Sequence, residues 1–414
     1  MPTFPTRTPE LLAGRAIGST KQVVEPDDVL ICKINPRINR VWKVMPKTDK
    51  RQIASSEWIV MRANGMNSEF LRTYFCSQEF REILCEDLTG VGGSLTRAQP
   101  KRVAKFRVPL APLAEQKRIA DKLEAVLGRV DACRARLDRV PDLLKRFRQS
   151  VLAAATSGQL TEDWREPSRG KHVVNDLPEG FPDIDALWHW QRLEDLCDHV
   201  VDCPHSTPSW TETGRLCVRT TNFRPGRLDL SQRQYVSDET FQARIERLKP
   251  EPGDILYSRE GGILGIACMI PPGVDLCLGQ RMMLFRTSTR YESALLMHWL
   301  NSPFVLQRVR ELTGGSASPH LNVRDIRALP VPVPPLAEQA EIVRRVEALF
   351  ALADRIEARL ATAQRLVERL TPATLSKAFR GDLVPQDPND EPASKLLEHL
   401  PAASRNAANL TKRR

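Results

Sequence analysis

The 414-residue sequence has no long uninterrupted apolar run and no basic start followed by an apolar segment. A membrane-spanning helix needs about 20 apolar residues, and a secretory signal needs a charged start with an apolar core. We therefore expect neither. The nine cysteines form no CxxC pair, so we expect reduced thiols in the cytoplasm, with Cys133, Cys268 and Cys277 packed as small apolar side chains.

Motifs for catalysis are also missing. The sequence contains no GxxxxGK[ST] phosphate loop, no GxGxxG after a strand, no HExxH pair and no GxSxG elbow. These absences argue against a P-loop NTPase, a dinucleotide-binding enzyme, a zinc protease or an α/β-hydrolase. We predict no catalytic residue and no metal site.

Three short patterns leave chemical alternatives open. The three glycines in 261–265 could form a nucleotide loop, although a plain turn is the simpler interpretation. Residues 301–304 resemble the Asn-Pro-Pro-Phe motif of amino-methyltransferases, but no glycine-rich methyl-donor loop accompanies them. Four potential zinc ligands lie close together at Cys197, His199, Cys203 and His205. Their spacing fits no familiar zinc site, so two buried thiols and two polar loop histidines are the simpler interpretation.

What the sequence does contain is an excess of basic residues and a large repeat. The formal net charge of +10 and the pI near 9.3 favour an anionic partner such as nucleic acid or an anionic membrane surface. Residues 113–157 and 336–380 both open with Leu-Ala-Glu-Gln and then carry apolar side chains at alternating steps of four and three. This spacing predicts two long helices, each with one apolar seam. The simplest way to bury both seams is against each other.

The seams can be followed residue by residue. The first passes Pro141, where we predict a kink rather than an end because the heptad register continues through it. Its positions are Ile119, Leu123, Val126, Val130, Cys133, Leu137, Val140, Leu144, Phe147 and Val151. The second seam consists of Ile342, Val346, Leu349, Ala353, Ile356, Leu360, Ala363, Val367, Leu370 and Thr374.

The remaining sequence forms two mixed α/β units whose elements recur. Strands are predicted at Val29–Cys32 and Trp58–Met61, a helix over 68–85 and a flexible loop at 90–94. The first unit lacks a counterpart of 188–226, so either it is shorter or this chain starts late. We predict an α+β fold with a first unit at 1–110, a helical segment at 111–160, a linker at 161–187, a second unit at 188–334, a helical segment at 335–384 and a tail at 385–414.

Polar and basic residues cluster in both units. In the first unit they alternate with apolar residues over 33–43, which on a strand would place several hydrogen-bond donors on one face. In the second they fall at turns and strand ends. Such donors suit phosphates and base edges in a DNA major groove, although a solvated basic face is the alternative for any single residue.

Several motifs give the chain a family resemblance. The two Leu-Ala-Glu-Gln helices, His-Ser-Thr-Pro at 205–208, Pro-His-Leu-Asn-Val at 319–323 and Gly-Asp-Leu-Val-Pro at 381–385 resemble the specificity subunit of type I restriction-modification enzymes. The resemblance implies that each unit is a target-recognition domain for one half of a bipartite DNA site. It implies that the two helices pair as an antiparallel coiled coil and that the chain is non-catalytic.

The same resemblance implies partners in a bacterial defence complex. Two methyltransferase subunits and the restriction or translocase subunits would bind this chain and would hold S-adenosylmethionine, ATP and Mg²⁺. The alternatives are a self-contained DNA methyltransferase or nuclease, and a coiled-coil interaction protein without DNA contact. The candidate DNA-binding residues are Lys33, Asn35, Arg37, Arg40, Arg97, His205, Thr207, Arg219, Asn222, Arg259, Gln280, Arg281, His320 and Asn322.

Overall fold

A computed structural model describes residues 9–46, 49–86, 96–165, 178–314 and 319–398. The chain divides into two compact units. Unit 1 comprises residues 1–139 and 360–414, and unit 2 comprises residues 140–359. Within the described part of the chain, every helix is too short or too polar to cross a membrane.

The regular elements follow the chain order. Up to residue 139 they are β1 Lys21–Val23, β2 Val29–Cys32, β3 Val41–Lys43, β4 Ile53–Ser55, β5 Trp58–Met61, α1 Ser68–Phe75, α2 Gln78–Glu86, α3 Pro100–Val103 and α4 Leu113–Leu137. Unit 2 begins with α5 Val140–Ser157, β6 His189–Arg192, β7 Cys197–Asp202, β8 Arg215–Val218, β9 Phe223–Arg224, β10 Gly226–Leu228, β11 Tyr235–Val236 and α6 Asp238–Ile245. It continues with β12 Ile255–Ser258, β13 Ala267–Met269, β14 Leu276–Leu278, β15 Met282–Thr287, α7 Ser293–Leu300, α8 Pro303–Thr313, α9 Val323–Arg327 and β16 Pro330–Val333. The last helices are α10 Leu336–Phe379, which belongs to both units, and α11 Ala393–Glu398.

Unit 1 has a small antiparallel sheet with strand order β3-β2-β5, and β1 pairs with β4 separately. All four side chains of β2 are buried. The predicted strands at Val29–Cys32 and Trp58–Met61 are confirmed. The helix predicted over 68–85 is two helices, because the first ends at Phe75 and the Ser77 hydroxyl, just before the second, accepts the Phe80 N–H at 3.1 Å. The predicted loop at 90–94 lies outside the described residues.

Unit 2 contains the larger sheet, with strand order β7-β15-β12-β13-β10-β9. Neighbouring strands are antiparallel except for β13 and β10. A second sheet, β11-β8-β14, has a parallel pair in β8 and β14. The apolar core joins the larger sheet to α5, α7, α8 and the first part of α10. An α+β architecture with long helices is therefore confirmed.

The first long helical run is not continuous. Helix α4 ends at Leu137 and α5 begins at Val140, so the prediction of one helix kinked at Pro141 is wrong in detail. The break lies upstream of the proline because Pro141 sits in the first turn of α5, where its missing N–H needs no intrahelical partner. Gly158, with φ +90°, closes α5 as expected.

The seams are buried near both ends of the helices. In unit 1, Ile119 and Leu123 of α4 pack with Leu375 and Ala378 of α10. In unit 2, Val151, Leu152 and Ala155 of α5 pack with Ile342 and Val346 of α10. The middle positions Cys133 and Ile356 are exposed, as is Leu370, so burial of Cys133 was predicted wrongly. Other middle positions of the seams, Val130, Leu144, Ala353 and Leu360, are buried, so the exposure is confined to single positions.

The Leu-Ala-Glu-Gln openings attach each long helix to a globular unit. Gln116 Oε1 accepts the Asn67 N–H at 2.9 Å, and Gln339 Oε1 accepts the Glu292 N–H at 2.8 Å. In both cases the side-chain NH₂ donates to the carbonyl five residues earlier. Asn67 and Glu292 are the N-caps of α1 and α7. The repeated sequence therefore forms a repeated attachment.

Candidate nucleic-acid interface

In unit 1 the candidate residues lie in the connection between β2 and β3. A short 3-10 helix, Pro36–Ile38, interrupts the extended chain, and Asn35 and Asn39 on either side have positive φ angles of 49° and 50°. Asparagine tolerates this left-handed conformation, and proline removes a ladder donor. The alternation over 33–43, interpreted from the sequence as a strand or ribbon, lies on a strand only at 41–43 in β3, and residues 33–40 form the connection from β2.

A second segment runs beside this connection. Residues 96–98 pair with 33–35 through two backbone hydrogen bonds of 3.0 and 2.9 Å. Arg97 is exposed there, and its Nη2 lies 3.4 Å from Glu57 Oε1. The pairing gathers the candidate residues of unit 1 on one loop surface: Lys33, Asn35, Arg37, Arg40 and Arg97.

In unit 2 the candidate residues lie at one edge of the sheets. The C-terminal ends of β7 and β12 pair with the start of β15, through Asp202 with Met283 and Ser258 with Met282. The Gly279 N–H, just after β14, donates to the carbonyl at the end of β8 at 2.9 Å. This strand order brings the loops 203–208, 259–265 and 279–281 together at that edge.

Side chains from these loops contact each other and remain accessible. Thr207 Oγ1 donates to Gln280 Oε1 at 3.3 Å, with Thr207 exposed and Gln280 half-buried. The exposed Arg219 guanidinium lies 5.5 Å from the Trp210 ring centroid. The exposed Arg281 has φ +71°, and its side chain passes Gly261, where a Cβ atom would lie 3.6 Å from Nη1. The glycines at 261–265 form the turn between β12 and β13, as their simpler interpretation predicts.

Two further candidates come from the segment before α9. His320 is exposed and forms an antiparallel bridge with Glu260. Asn322 is exposed at the N-cap of α9, and its Nδ2 donates to Asp325 Oδ2 at 3.2 Å. The backbone bridge to Glu260 therefore places His320 beside the loop 259–265.

Asn222 and Arg259 are buried, whereas the sequence predicted that both would be available to bind DNA. Asn222 is 9% exposed, accepts the Arg219 N–H at 2.9 Å and donates to the carbonyls of Asp229 and Gln232. Arg259 is 5% exposed and is paired with Asp202. Their hydrogen-bonding groups are occupied by protein, so the geometry does not present either side chain to DNA. Both support loops that carry the exposed candidates.

Sequence reasoning missed two residues beneath this surface, Asp202 and Arg244. Arg244 is 8% exposed on α6 and donates to backbone carbonyls of the neighbouring loops. Asp202 ends β7 and lies 3.1 Å from His205 Nε2. An arginine in a polar helix and an aspartate at a strand end have no distinctive sequence spacing. Only the contacts between distant segments identify them.

The residues of the possible zinc site do not converge. Burial raises the pKa of Cys197 to about 12 and also raises the pKa of Cys203. Zinc binds the thiolate form of cysteine, so these surroundings oppose metal binding. Among the residues that the structure describes, no group of three or more His, Cys, Asp or Glu side chains is placed to hold a metal ion.

The segment at 301–304 has a structural role. Asn301 is 2% exposed, and its amide bonds both the N–H and the carbonyl of Ala267 at 3.1 and 2.8 Å. Ser302 accepts the Val305 N–H as the N-cap of α8. The asparagine amide is thus committed to β13 and is not open to a target amine.

Comparison with known proteins agrees with the architecture. Residues 224–363 match the family described as type I restriction modification DNA specificity domain. The chain is 34% identical over 310 residues to the EcoBI specificity subunit of Escherichia coli, covering 71% of this chain and 64% of that protein. It is 30% identical over 327 residues to the EcoKI specificity subunit of Escherichia coli strain K12, covering 75% and 67%. The chain thus spans about two thirds of the length of these relatives. None of these relatives supports a self-contained methyltransferase or nuclease.

Two solved structures share the fold. One is a chain from work on complex assembly and conformational transition of the type I R-M system, with a TM-score of 0.65, 24% identity and coverage of 91% of this chain and 87% of that chain. The other is the HsdS subunit from Thermoanaerobacter tengcongensis, with a TM-score of 0.59, 24% identity and coverage of 91% and 86%. Together with the 30% identity to the EcoKI subunit, these matches show that the chain belongs to the family of type I restriction enzyme specificity subunits.

Proposed function

We propose that this chain is the non-catalytic DNA-recognition subunit of a cytoplasmic type I restriction-modification complex and that each unit reads one half of a bipartite site. The observation that carries the proposal is the loop edge of unit 2. There, Arg219, Gln280 and Arg281 lie on neighbouring loops with Thr207 and His320, and all of them are at least partly accessible. Arginine and amide side chains are the groups that distinguish guanine and adenine in the major groove. Unit 1 contributes the smaller basic loop described above.

The long helices would set the distance between the two half-sites. Helix α10 has 44 residues, which corresponds to about 66 Å at 1.5 Å per residue. One turn of DNA is about 34 Å, so the helix is long enough to span adjacent half-sites. The apolar contacts of α10 with α4 in unit 1 and with α5 in unit 2 support pairing of the two helical segments as an antiparallel coiled coil.

The duplicated attachments support a second part of the proposal. A chain with two similar units presents similar platforms to two copies of one partner. We expect these copies to be the methyltransferase subunits, with the restriction or translocase subunits joining the complex. S-adenosylmethionine, ATP and Mg²⁺ would be bound on those chains.

The test is to co-express the chain with its methyltransferase subunit and to map methylated adenines in the host DNA. The expected result is a two-part motif with a fixed gap. Arg281→Ala should relax one half of the motif, and Arg37→Ala should relax the other, each by about 1 to 3 kcal/mol of discrimination. Arg355→Ala, an exposed arginine on α10, is the charge-matched control and should leave both halves unchanged.

A binding measurement separates this proposal from a coiled-coil protein without DNA contact. Phosphate contacts make affinity fall steeply with salt, by a slope of about 0.9 per contact in a double-logarithmic plot. The purified chain should show this dependence on double-stranded DNA. The proposal would be contradicted if the methylated adenines defined no motif and the purified chain showed no salt-dependent binding to DNA.

A further inference from the structure

Arg244 joins two loops of the unit 2 edge without reaching the surface. Its Nη1 donates to the carbonyls of Leu278 and Gly279 at 2.9 and 3.0 Å. Its Nη2 donates to the Ser206 carbonyl at 2.5 Å. One rigid guanidinium thus fixes the loop that precedes Gln280 and Arg281 against the loop that carries Thr207. The rigid fork of donors in arginine suits such a clamp better than the single ammonium of lysine.

Arg259 joins the next pair of loops on the same edge. Its Nε and Nη2 pair with the two carboxylate oxygens of Asp202 at 2.9 and 3.1 Å. Its Nη1 donates to the Leu321 carbonyl at 3.3 Å, and its backbone N–H donates to the Arg281 carbonyl at 3.1 Å. Arg259 therefore connects the end of β7, the residue before β15 and the segment that carries His320.

The two clamps differ in charge balance. Arg259 is neutralised by Asp202 and by Glu260, whose Oε1 lies 2.8 Å from Nη2. Arg244 forms no ion pair with any carboxylate among the residues that the structure describes. A buried charge held only by carbonyls is expensive relative to an apolar side chain. The hydrogen bonds of both arginines connect neighbouring loops, which an apolar side chain at either position could not do.

We infer that Arg244 and Arg259 are positioning residues that determine the base preference of the unit 2 half-site without touching DNA. The inference rests on the proposed DNA-recognition function. Direct readout requires hydrogen-bonding groups to match base edges closely, so a loop shift of about 1 Å is sufficient to lose a bidentate contact. The hydrogen bonds of Arg244 and Arg259 hold the loops of Thr207, Arg281 and His320 in one relative arrangement.

In the test, the full-length chain selects the molecules that it binds from a pool of random double-stranded DNA, and the bound molecules are sequenced. Arg244→Lys and Arg259→Lys keep the positive charge but remove the forked donors. Each should lower the ratio of cognate to single-mismatch binding about tenfold in the half-site that Arg281→Ala also relaxes. The other half-site and the salt dependence should stay close to wild type, while the melting temperature should fall modestly because each lysine leaves buried acceptors of the arginine without a donor. Arg355→Lys, on the exposed face of α10, is the matched control.

Each outcome decides the question. Unchanged base preference in both variants, or equal loss at both half-sites with a lowered melting temperature, overturns the inference. Should Arg259→Lys fail to fold, Asp202→Asn tests the same link, because it keeps the side-chain size and removes the pairing charge. Should Arg244→Lys fail to fold, Arg244→Gln tests the other link, because it keeps a side-chain donor but removes the fork. A wild-type preference retained in folded Asp202→Asn also overturns it. A wild-type chain that selects no motif contradicts the proposed function itself, which is a distinct result.

Discussion

Gln339 accepts the backbone N–H of Glu292 at 2.8 Å and so joins the start of the second long helix to the N-cap of α7. Gln116 makes the equivalent bond to Asn67 in unit 1. Both glutamine side chains are buried, with at most 1% exposed. In the repeated Leu-Ala-Glu-Gln opening, Gln116 and Gln339 are therefore buried connections between each long helix and its globular unit.

Gln339→Ala should lower the free energy of unfolding by about 2 to 4 kcal/mol. The substitution removes the partner of the part-buried Glu292 N–H and of the buried Pro334 carbonyl, and an unsatisfied buried group costs about 1 to 3 kcal/mol. Urea denaturation followed by circular dichroism measures the change. Gln307→Ala, on the exposed face of α8, should stay within about 0.5 kcal/mol of wild type. Equal effects of the two substitutions would refute a structural role for Gln339.

Glu338→Gln should be destabilising by about 3 kcal/mol, because the buried carboxylate accepts three side-chain hydrogen bonds. Trp188 Nε1 donates at 3.0 Å, Thr161 Oγ1 donates at 2.6 Å and Arg165 forms an ion pair. Removing the negative charge leaves Asp185, 3.2 Å away, as the remaining ion-pair partner of the 10% exposed Arg165 side chain.

The control for Glu338 is its repeat partner Glu115. No side-chain hydrogen bond reaches the Glu115 carboxylate from the residues that the structure describes. Glu115→Gln should therefore have an effect below about 1 kcal/mol, measured by the same denaturation experiment. A larger loss for Glu115→Gln than for Glu338→Gln would contradict the assigned network.

Acidification should weaken unit 2 through His298. Burial lowers the pKa of this histidine to about 4, its ring is 5% exposed and it packs edge-on against Phe350 at 5.7 Å. The unfolded chain, with an ordinary pKa near 6.5, binds a proton that the folded unit excludes. The stabilising contribution is complete above about pH 6.5 and falls by about 3 kcal/mol as the pH decreases to about 4.

The difference between wild type and His298→Leu isolates this effect from the titration of carboxylates. Denaturation midpoints at pH 7.5 and at pH 4.5 should move further apart in the wild type than in the variant. Parallel pH profiles of the two proteins would show that protonation of His298 does not limit stability.

Truncating a leucine of α4 to alanine should destabilise unit 1 in proportion to how deeply that leucine is buried. Leu123 is fully buried in the cluster with Leu375, whereas Leu113 is 49% exposed at the start of the same helix. Leu123→Ala should lower the free energy of unfolding by about 3 kcal/mol, and Leu113→Ala by less than about 1 kcal/mol. Thermal or urea unfolding of both variants provides the comparison. Similar losses would contradict the packing of α4 against α10 in unit 1.

The basic loop at 33–40 shows where sequence patterning is insufficient. Alternation of polar and apolar residues predicts a strand, but Pro36 and the left-handed Asn35 and Asn39 form a compact connection. Backbone conformation at those three residues overrides the side-chain pattern. The position of Arg97 beside this loop depends on pairing between distant segments, which a single sequence does not encode as a local signal.

The sequence by itself determined the duplication, the two long helical segments, the α+β class and the family, because heptad spacing and repeated motifs are local and periodic. The tertiary structure decided which polar residues are exposed. Arg259 and Arg281 are both arginines next to strand ends, yet one is buried against Asp202 and the other is exposed beside Gly261. That distinction arises from strand order and loop packing, which bring together residues far apart in the chain, and it separates accessible side chains from those bonded to neighbouring loops.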